Sequence, residues 1–366
     1  MASAGGAPDS GRKPALTGIR TVAAATVCLT HAAFWTGHYT DDYAGRLFAR
    51  FEVGVTIFFV LSGYLLFSPW VRSLRAESSV YPPLRRYAWH RVRRIMPAYV
   101  MTVGAVYVIF VFRTDSSDLG HGMSGLIRNL TLTQVYGFGH LHTGLTQMWS
   151  LAAEVVYYVA LPVIAWPLAR YVCRGRWRPD LLIVVLGGLL LVSPVWTFAT
   201  HGDGVDPTAR LWAPAFASWF VAGMLLAVLG RLIRSWPATP SVAVAAGAFV
   251  LSAGAFAGEA TIVPNDAGAA VAKHTLYAVV AVGLIGPLVV GSSDWWSRLC
   301  RSRPMVWLGE ISYEFFLVHV MVLELVMDLL GYRVFTGSVL FAFVVTSAIS
   351  VPIAWVLHRA TSPLWR

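Results

Sequence analysis

Long apolar stretches recur along nearly the whole chain. Ten of them lie at about residues 15–36, 51–70, 95–112, 147–169, 180–200, 211–233, 241–257, 271–291, 305–330 and 335–358. An α-helix needs roughly 17 to 25 apolar residues to cross the ~30 Å hydrocarbon core of a bilayer. Only 13% of the 366 residues are charged, about half the share in soluble domains. The sequence therefore predicts an all-α, polytopic integral membrane protein with about ten transmembrane helices around a central cavity.

Basic residues fall unevenly on the loops between these spans. With the N-terminus in the cytoplasm, 20 of the 28 lysines and arginines lie on the cytoplasmic side. Seven lie outside: Arg46, Arg50, Arg113, Arg128, Arg210, Lys273 and Arg333. Because cytoplasmic loops are enriched in Lys and Arg, we expect both termini in the cytoplasm. The predicted divisions are an N-terminal tail 1–14, a membrane domain 15–358 and a C-terminal tail 359–366. The net charge of +10 is then mostly topological and indicates no nucleic-acid partner.

The cysteines indicate neither a disulfide framework nor a metal site. Cys28, Cys173 and Cys300 are odd in number and far apart in the sequence. Disulfide frameworks and zinc sites have paired or closely spaced cysteines. We therefore expect no bound metal.

The first apolar stretch, TGIRTVAAATVCLTHAAFW, contains Arg20 and His31. Residues eleven positions apart on an α-helix lie within about 20° of one face and ~16 Å apart along the axis. An ionised side chain at the bilayer centre costs about 2.5 to 3.5 kcal/mol, so such residues usually face a cavity. We expect both to face one interior groove, with neutral His31 able to act as a general base. The alternatives are that Arg20 snorkels to the inner surface and that His31 only packs.

Two further stretches carry small and basic residues. FFVLSGY in the second span includes Ser62, Gly63 and Tyr64, and small residues allow close helix packing. RRYAWHRVRRIMP precedes the third span and places Arg91 and Arg94 three residues apart. On a helix both can face one ligand, and the arginine side chain suits phosphate. The alternative for this pair is topological charge alone.

Polar residues also occur within the fourth and ninth spans. WSLAAEVVYY contains Trp149, Ser150 and Glu154, and a buried carboxyl group needs a hydrogen-bond partner or a proton. LGEISYEFFLVH contains Ser312, Tyr313 and His319. Ser312 and His319 are seven residues apart and so share a helix face. For Glu154 and His319 a purely structural role is the alternative.

Together these motifs resemble the bacterial membrane O-acyltransferases of acyltransferase family 3. Five motifs support the resemblance: the Arg-to-His spacing in span one, FFVLSGY, the basic residues before RIMP, WSLAAEVVYY and LGEISYEFFLVH. Each motif is weak alone, but five occur in order, over residues 16 to about 320. The chain departs from the family at Thr17, where Asp is usual, and at Glu310, where a basic or polar residue is common. Both departures lie on the cytoplasmic side of the predicted cavity, and neither involves Arg20 or His31.

The resemblance implies an enzyme of the bacterial cytoplasmic membrane. It would move an acyl group, commonly acetyl, from cytoplasmic acyl-CoA to a hydroxyl of an envelope carbohydrate, a glycolipid such as a trehalose ester, or a glycosylated antibiotic such as a macrolide. No permanently bound cofactor is implied. By this resemblance His31 is the catalytic histidine, Arg20 its partner, and Arg91 and Arg94 bind the coenzyme A phosphates. The other motif positions are Ser62, Gly63, Tyr64, Trp149, Ser150, Glu154, Ser312, Tyr313 and His319.

Two other classes of protein are weighed against this prediction. In a proton or anion transporter, Arg20, His31, Glu154 and His319 would line the transport pathway. That class explains the intramembrane charges but not the arginines before RIMP or the order of the motifs. A non-catalytic scaffold fits least, because it has no reason to bury ionisable groups. The acceptor, the length of the acyl chain and the oligomeric state stay open at this point.

Overall fold

The computed structural model describes residues 13–78, 81–112, 120–137, 140–291 and 293–365, and this part of the chain is helical without β-strands. Most of the predicted N-terminal tail lies outside the described residues. The α-helices are α1 Pro14–Trp35, α2 Tyr43–Ala49, α3 Val53–Arg75, α4 Leu84–Phe110, α5 Met123–Leu130, α6 Trp149–Pro167, α7 Pro179–Leu189, α8 Val192–Thr200, α9 Ala217–Leu229, α10 Ala238–Ser252, α11 Ala267–Val290, α12 Trp295–Cys300, α13 Arg303–Glu310, α14 Ser312–Leu329 and α15 Val339–Thr361.

Helices occupy all ten of the predicted stretches, but fewer than ten are long and apolar enough to span. Among the described residues six segments qualify by length and composition: Tyr43–Arg75, Leu84–Phe110, Thr143–Val172, Pro179–Thr200, Ala267–Val290 and Val339–Leu364. The bent pair α13 and α14 makes a seventh if it counts as one span. Helices α9 and α10 are apolar but short. The chain is a multi-pass, all-helical membrane protein, while the number ten and the cytoplasmic termini stay predictions.

Helix α1 is 22 residues long and is not among those six segments. It begins with Pro14 at its first position, where a missing N–H costs nothing. Arg20, His31 and its four threonines lower its apolarity. The helix instead lies inside the bundle, packed against α3, α13, α14 and α15. Protein neighbours rather than lipid therefore surround the helix with the Arg20 and His31 motif.

Glycines let the helices around the site approach each other closely. A Cβ added at Gly63 would lie 2.0 Å from the Phe220 carbonyl oxygen, and one at Gly223 would lie 2.0 Å from that of Val60. These two positions form the crossing of α3 and α9. At α1, a Cβ on Gly18 would lie 1.9 Å from the carbonyl oxygen of Cys300. Such contacts exclude any side chain, so these crossings require glycine.

The predicted ninth span is two helices rather than one. Helices α13 and α14 meet at Ile311 with a bend of 70°. The Oγ atom of Ser312 donates to the Gly309 carbonyl oxygen at 2.9 Å and stabilises the junction. Gly309 also packs against the backbone of Thr17, the position at which the chain departs from the family pattern. The bend places the start of α14 beside α1.

Two basic residues assigned to external loops are buried instead. Arg50 has 0% and Lys273 1% of its surface exposed. Arg50 donates to backbone carbonyls between α10 and α11, including Ser252 at 2.7 Å and Ala257 at 3.0 Å. Lys273 pairs with Glu52 at 2.5 Å. Both side chains stabilise the polypeptide between α10 and α11 against the start of α3.

The C-terminal segment is part of the bundle. Helix α15 runs to Thr361, beyond the predicted end of the membrane domain, and is followed by the 3-10 turn Ser362–Leu364. Trp365 is 9% exposed, and its ring packs 5.8 Å from that of His358. His358 Nδ1 lies 3.0 Å from Oε1 of Glu314 on α14. Thus part of the predicted tail packs against α4, α14 and α15.

Candidate active site

A cavity of about 450 Å³ lies among α1, α3, α4, α6 and α14. It collects eight of the predicted site residues: Arg20, Ser62, Arg91, Arg94, Ser150, Glu154, Ser312 and Tyr313. These come from five helices that are distant in the sequence. Apolar walls are supplied mainly by α3 and by Ile95 and Phe316. The cavity therefore has both apolar walls and cationic, carboxylate and hydroxyl groups along its lining.

Arg91 and Arg94 project from the first turns of α4 into this cavity. The buried Nε of Arg91 has no hydrogen-bond partner among the described residues, and its guanidinium lies 5.9 Å from the Tyr158 ring centre. The Arg94 guanidinium lies 5.0 Å from the ring centre of Trp365. An unsatisfied buried donor on a cation fits a site for an anionic ligand.

Glu154 receives a hydrogen bond from the Ser62 hydroxyl. This contact joins α6 to α3 across the cavity and supplies the partner that a buried carboxyl group requires. Tyr313 links the opposite wall, since its hydroxyl donates to the Ile95 carbonyl oxygen at 2.9 Å. These contacts fix the relative positions of α3, α4, α6 and α14 around the cavity.

His31 and His319 form a pair across α1 and α14. His319 Nε2 lies 3.1 Å from His31 Nδ1, and the ring centres are 5.1 Å apart. Each Nδ1 also faces a backbone carbonyl oxygen, Val27 for His31 and Phe316 for His319, both at 2.8 Å. His319 is 0% exposed, whereas His31 is partly exposed.

These distances assign the protons of the neutral pair. A carbonyl oxygen only accepts, so Nδ1 of each ring carries the proton. The lone pair of His319 Nε2 therefore faces the N–H of His31. Nε2 of His31 is left with its own lone pair, which is the form that accepts a proton from a hydroxyl. His319 is thus placed to hold His31 in one tautomer and orientation.

The histidine pair does not line the cavity that contains Arg20. Phe316 lines the cavity, and its ring centre lies 5.9 Å from that of His319 and 6.4 Å from that of Phe58. Helical spacing places Arg20 and His31 on one face of α1, but the packing of α14 puts an aromatic ring at the inner end of the cavity. The histidine pair therefore lies next to the cavity, behind the Phe316 ring, rather than among its lining residues.

Three other predicted residues lie away from the cavity lining. Gly63 forms the crossing of α3 with α9. Tyr64 is 8% exposed and packs in the main hydrophobic core. Trp149 packs against Phe216, with ring centres 5.0 Å apart. Their surroundings indicate structural contacts.

The structure adds residues that the sequence reasoning missed. Tyr158 lines the cavity one helical turn beyond Glu154, so the periodicity of WSLAAEVVYY contained a signal for it. Trp365 stacks on Arg94 from the chain end, for which no local pattern exists. Gln147 is 1% exposed and donates to the Leu317 carbonyl oxygen at 2.9 Å, which fixes the start of α6 against α14.

The three cysteines are buried and unbridged. In the described ranges no group of three or more His, Cys, Asp or Glu side chains could hold a metal ion.

The protein is multi-pass and helical, and its cavity contains arginines and a carboxyl group next to an oriented histidine pair. This combination is typical of a membrane-embedded transferase. Comparison with known families identifies which one. Residues 13–359 match the family described as "Acyltransferase domain", so the chain belongs to acyltransferase family 3, as its motifs predicted. By its description this is a family of acyltransferase domains.

Curated relatives agree with this membership. Over 85% of its length the chain is 25% identical to the peptidoglycan O-acetyltransferase OatA of Listeria monocytogenes, of which it covers 49%. It is 28% identical over 90% of its length to the acyltransferase MdmB of Streptomyces mycarofaciens, of which it covers 83%. It is 26% identical over 89% of its length to the putative peptidoglycan O-acetyltransferase YrhL of Bacillus subtilis, of which it covers 51%.

The chain thus spans about half the length of two of these relatives. No solved structure is significantly similar to it.

Proposed function

We propose that this chain transfers an acyl group, most simply acetyl, from cytoplasmic acyl-CoA to a hydroxyl of a carbohydrate-containing acceptor. The observation that carries the proposal is the convergence of Arg20, Arg91 and Arg94 in one cavity, with the His31 and His319 pair directly beyond it. Donor and acceptor would meet at His31. The protein would lie in the cytoplasmic membrane of a bacterium with both termini in the cytoplasm.

The donor site is argued from charge and shape. Coenzyme A has phosphate groups at one end and a long, mostly neutral pantetheine arm that ends in the thioester. Arg91 and Arg94 lie on the first turns of α4, and the unsatisfied Nε of Arg91 supplies a buried donor there. Arg20 lies further inside the same cavity. The phosphates would bind at the first two arginines, and the arm would extend past Arg20 towards Phe316.

The reaction itself needs one base and one site for negative charge. Nε2 of His31 would take the proton of the acceptor hydroxyl while its oxygen attacks the thioester carbonyl carbon. The carbon–sulfur bond then breaks, the sulfur leaves as coenzyme A, and the imidazolium returns the proton to sulfur. The Arg20 cation would stabilise the negative charge that develops on the thioester carbonyl oxygen, or would hold the pantetheine arm in place. Direct transfer is preferred over an acyl-histidine intermediate, because no group in the site requires one.

His319 would act through His31 rather than on the substrates. Its Nε2 accepts from the His31 N–H at 3.1 Å. This bond strengthens when His31 takes up a proton, since hydrogen bonds to charged groups are worth about 1.5 to 3 kcal/mol. The pair therefore favours the protonated intermediate state of His31 during transfer.

The acceptor is proposed by class. Two of the relatives are named for the O-acetylation of peptidoglycan, which is a carbohydrate polymer of the envelope. His31 is partly exposed, so we propose that the acceptor hydroxyl reaches it from outside the donor cavity. An envelope polysaccharide, a glycolipid of the trehalose type and a macrolide all carry suitable hydroxyls.

The proposal is tested with membranes from cells that express the chain, supplied with acetyl-CoA labelled in the acetyl group. We expect label in an envelope or lipid fraction and stoichiometric release of coenzyme A. His31→Ala should remove both, whereas His38→Ala, a nearby histidine whose Nδ1 contacts Thr36, should keep both. Full transfer by a folded His31→Ala variant would overturn the assignment.

The transporter hypothesis gives a different result in the same system. It predicts substrate flux across sealed vesicles without any acyl donor and no release of coenzyme A. Flux of this kind, unchanged by loss of Arg91 and Arg94, would favour transport over transfer.

A further inference from the structure

A second basic cleft lies at the end of the helix bundle where α4 begins. It has a volume of about 630 Å³ and lies between the ends of α3 and α6. Its lining includes Glu77, Tyr81, Trp166, Arg170, Arg174 and Arg176. None of these residues belongs to the motifs that identify the family. The cleft therefore needs its own explanation.

The backbone of the cleft is preformed. Helix α6 continues as a π-helical turn, Leu168–Val172, and the chain then reverses with positive φ at Arg174 (53°) and Gly175 (72°). Backbone bonds from Cys173 to Leu168 at 2.8 Å and from Gly175 to Ala169 at 2.9 Å fix this turn. A left-handed conformation is unfavourable for arginine, so the turn holds the side chain in place at a conformational cost.

The aromatic side of the cleft is also ordered. The Tyr81 ring stacks on that of Trp70, with centres 5.5 Å apart and an angle of 23°. Trp70 is 2% exposed, so it anchors Tyr81 to the core. Trp166 faces the cleft from α6. Such aromatic surfaces are suited to stack with a planar base.

The charges of the cleft are not balanced within the described part of the chain. The side chains of Arg170, Arg174 and Arg176 form no ion pair or hydrogen bond there. Glu77 is the one carboxylate among the lining residues, so three cations face one anion. Guanidinium groups bind phosphate through paired N–H donors. The chemistry of the cleft therefore fits a phosphorylated aromatic ligand.

Helix α6 lines both the cleft and the donor cavity, and Tyr81 of the cleft lies three residues before the start of α4. Tyr87 on α4 donates to the carbonyl oxygen of Tyr158 on α6 at 3.0 Å, and Tyr158 lines the cavity beside Arg91. From Tyr158, Trp166 lies ~12 Å and Arg170 ~18 Å further along α6 at 1.5 Å per residue. The two sites therefore lie along the same stretch of chain, at an axial separation that a long ligand can span.

We propose that this basic cleft binds the nucleotide end of the acyl-CoA donor, with the 3′-phosphate on Arg170, Arg174 and Arg176 and the adenine against Tyr81 and Trp166. The inference rests on the proposed function and extends its donor site. The diphosphate then lies at Arg91 and Arg94. The pantetheine arm has about the backbone length of four to five peptide residues, or ~15 Å when extended, which carries the thioester from those arginines into the cavity.

The test compares coenzyme A with 3′-dephospho-coenzyme A, which lacks only the phosphate assigned to the cleft. Binding of each is measured to the full-length protein in nanodiscs of phosphatidylcholine and again with anionic phosphatidylglycerol added. The variant is Arg174→Gln with Arg176→Gln. The matched control is Arg231→Gln with Arg234→Gln, which changes two exposed arginines outside both the cavity and the cleft.

We expect the wild type and the control to bind coenzyme A about tenfold or more tightly than the dephospho form, as one charge-assisted contact to phosphate supplies. The cleft variant should bind both forms with nearly equal affinity. A ratio near one in the wild type, or an unchanged ratio in the variant, would overturn the inference while leaving the proposed function intact. A defect that appears only with phosphatidylglycerol would instead assign the cleft to lipid headgroups. If the wild type binds neither form, the proposed function itself fails.

Discussion

Replacement of His319 should separate its role from that of His31. His319 makes no direct contact with substrate in the proposed mechanism and acts through the 3.1 Å contact with His31. His319→Ala removes the acceptor that faces the protonated His31. Because a hydrogen bond to a charged group contributes about 1.5 to 3 kcal/mol, the turnover rate should fall about 10- to 100-fold. The Val27 carbonyl oxygen still holds the tautomer, so the loss should be smaller than for His31→Ala.

His319→Gln is the conservative variant. The glutamine amide oxygen is as many bonds from Cα as Nε2 of histidine, so it can accept from the His31 N–H. We expect it to recover most of the rate that His319→Ala loses. The assay is single-turnover release of coenzyme A in membranes, with the KM for acetyl-CoA measured in parallel. The KM should stay unchanged in both variants, since neither touches the donor cavity.

Removal of the His319 side chain also leaves a void in the core, and this void could lower activity by destabilising the fold. Leu317→Ala is the control, because Leu317 is 0% exposed on the same helix and its side chain is not part of the histidine pair. Leu-to-Ala changes in cores cost about 2 to 5 kcal/mol, so its thermal stability should fall while the turnover rate stays within about threefold of the wild type. Equal rates in the wild type and His319→Ala, or no recovery with His319→Gln, would refute the positioning role.

Three further predictions concern the donor site and the fold. Arg91→Gln should raise the KM for acetyl-CoA about 10-fold or more, because it loses a charge-assisted contact. The control Arg93→Gln, at a residue that faces the Trp89 ring, should leave this KM unchanged. The KM of each variant is measured by steady-state kinetics in membranes, and equal effects of the two changes would contradict the assignment. Trp365→Ala should raise the same KM by about 3- to 10-fold. The Trp365 ring lies 5.0 Å from the Arg94 guanidinium, and such contacts contribute about 0.5 to 1 kcal/mol or more. An unchanged KM would exclude a role of Trp365 in positioning Arg94. Glu52→Gln should leave a buried charge on Lys273 and destabilise the protein by about 3 to 5 kcal/mol, seen as a lower melting temperature in detergent; an unchanged melting temperature would contradict the buried pair.

The motifs combine spacing with chemical type, and for this reason they could indicate which polar residues face the interior. Arg20, Arg91 and Glu154 are polar in apolar or membrane-border segments, and their cost in lipid makes an interior location predictable. The structure brings all three to one cavity. The contact between Ser62 and Glu154 joins α3 and α6, and no spacing rule within one helix could indicate it.

Other features depend on long-range packing. Phe316 lines the cavity and lies next to His319, and helical periodicity along α1 cannot indicate a ring that α14 supplies. Trp365 reaches Arg94 from the far end of the chain. Arg50 and Lys273 were counted as loop charges, but backbone carbonyls and Glu52 satisfy them in the interior. A count of charges uses only the type of each residue and its position in the sequence, so it cannot reveal partners such as these backbone carbonyls and Glu52.

The central claim is that acyl transfer depends on His31 at the end of a coenzyme A site. The most direct measurement follows the labelled acetyl group from acetyl-CoA in membranes that contain the wild type, His31→Ala or Arg91→Gln, over a range of donor concentrations up to saturation. The account predicts full transfer for the wild type, transfer recovered by high donor concentration for Arg91→Gln, and no transfer for His31→Ala at any concentration. Transfer by His31→Ala at the wild-type rate, with the protein folded, would contradict it.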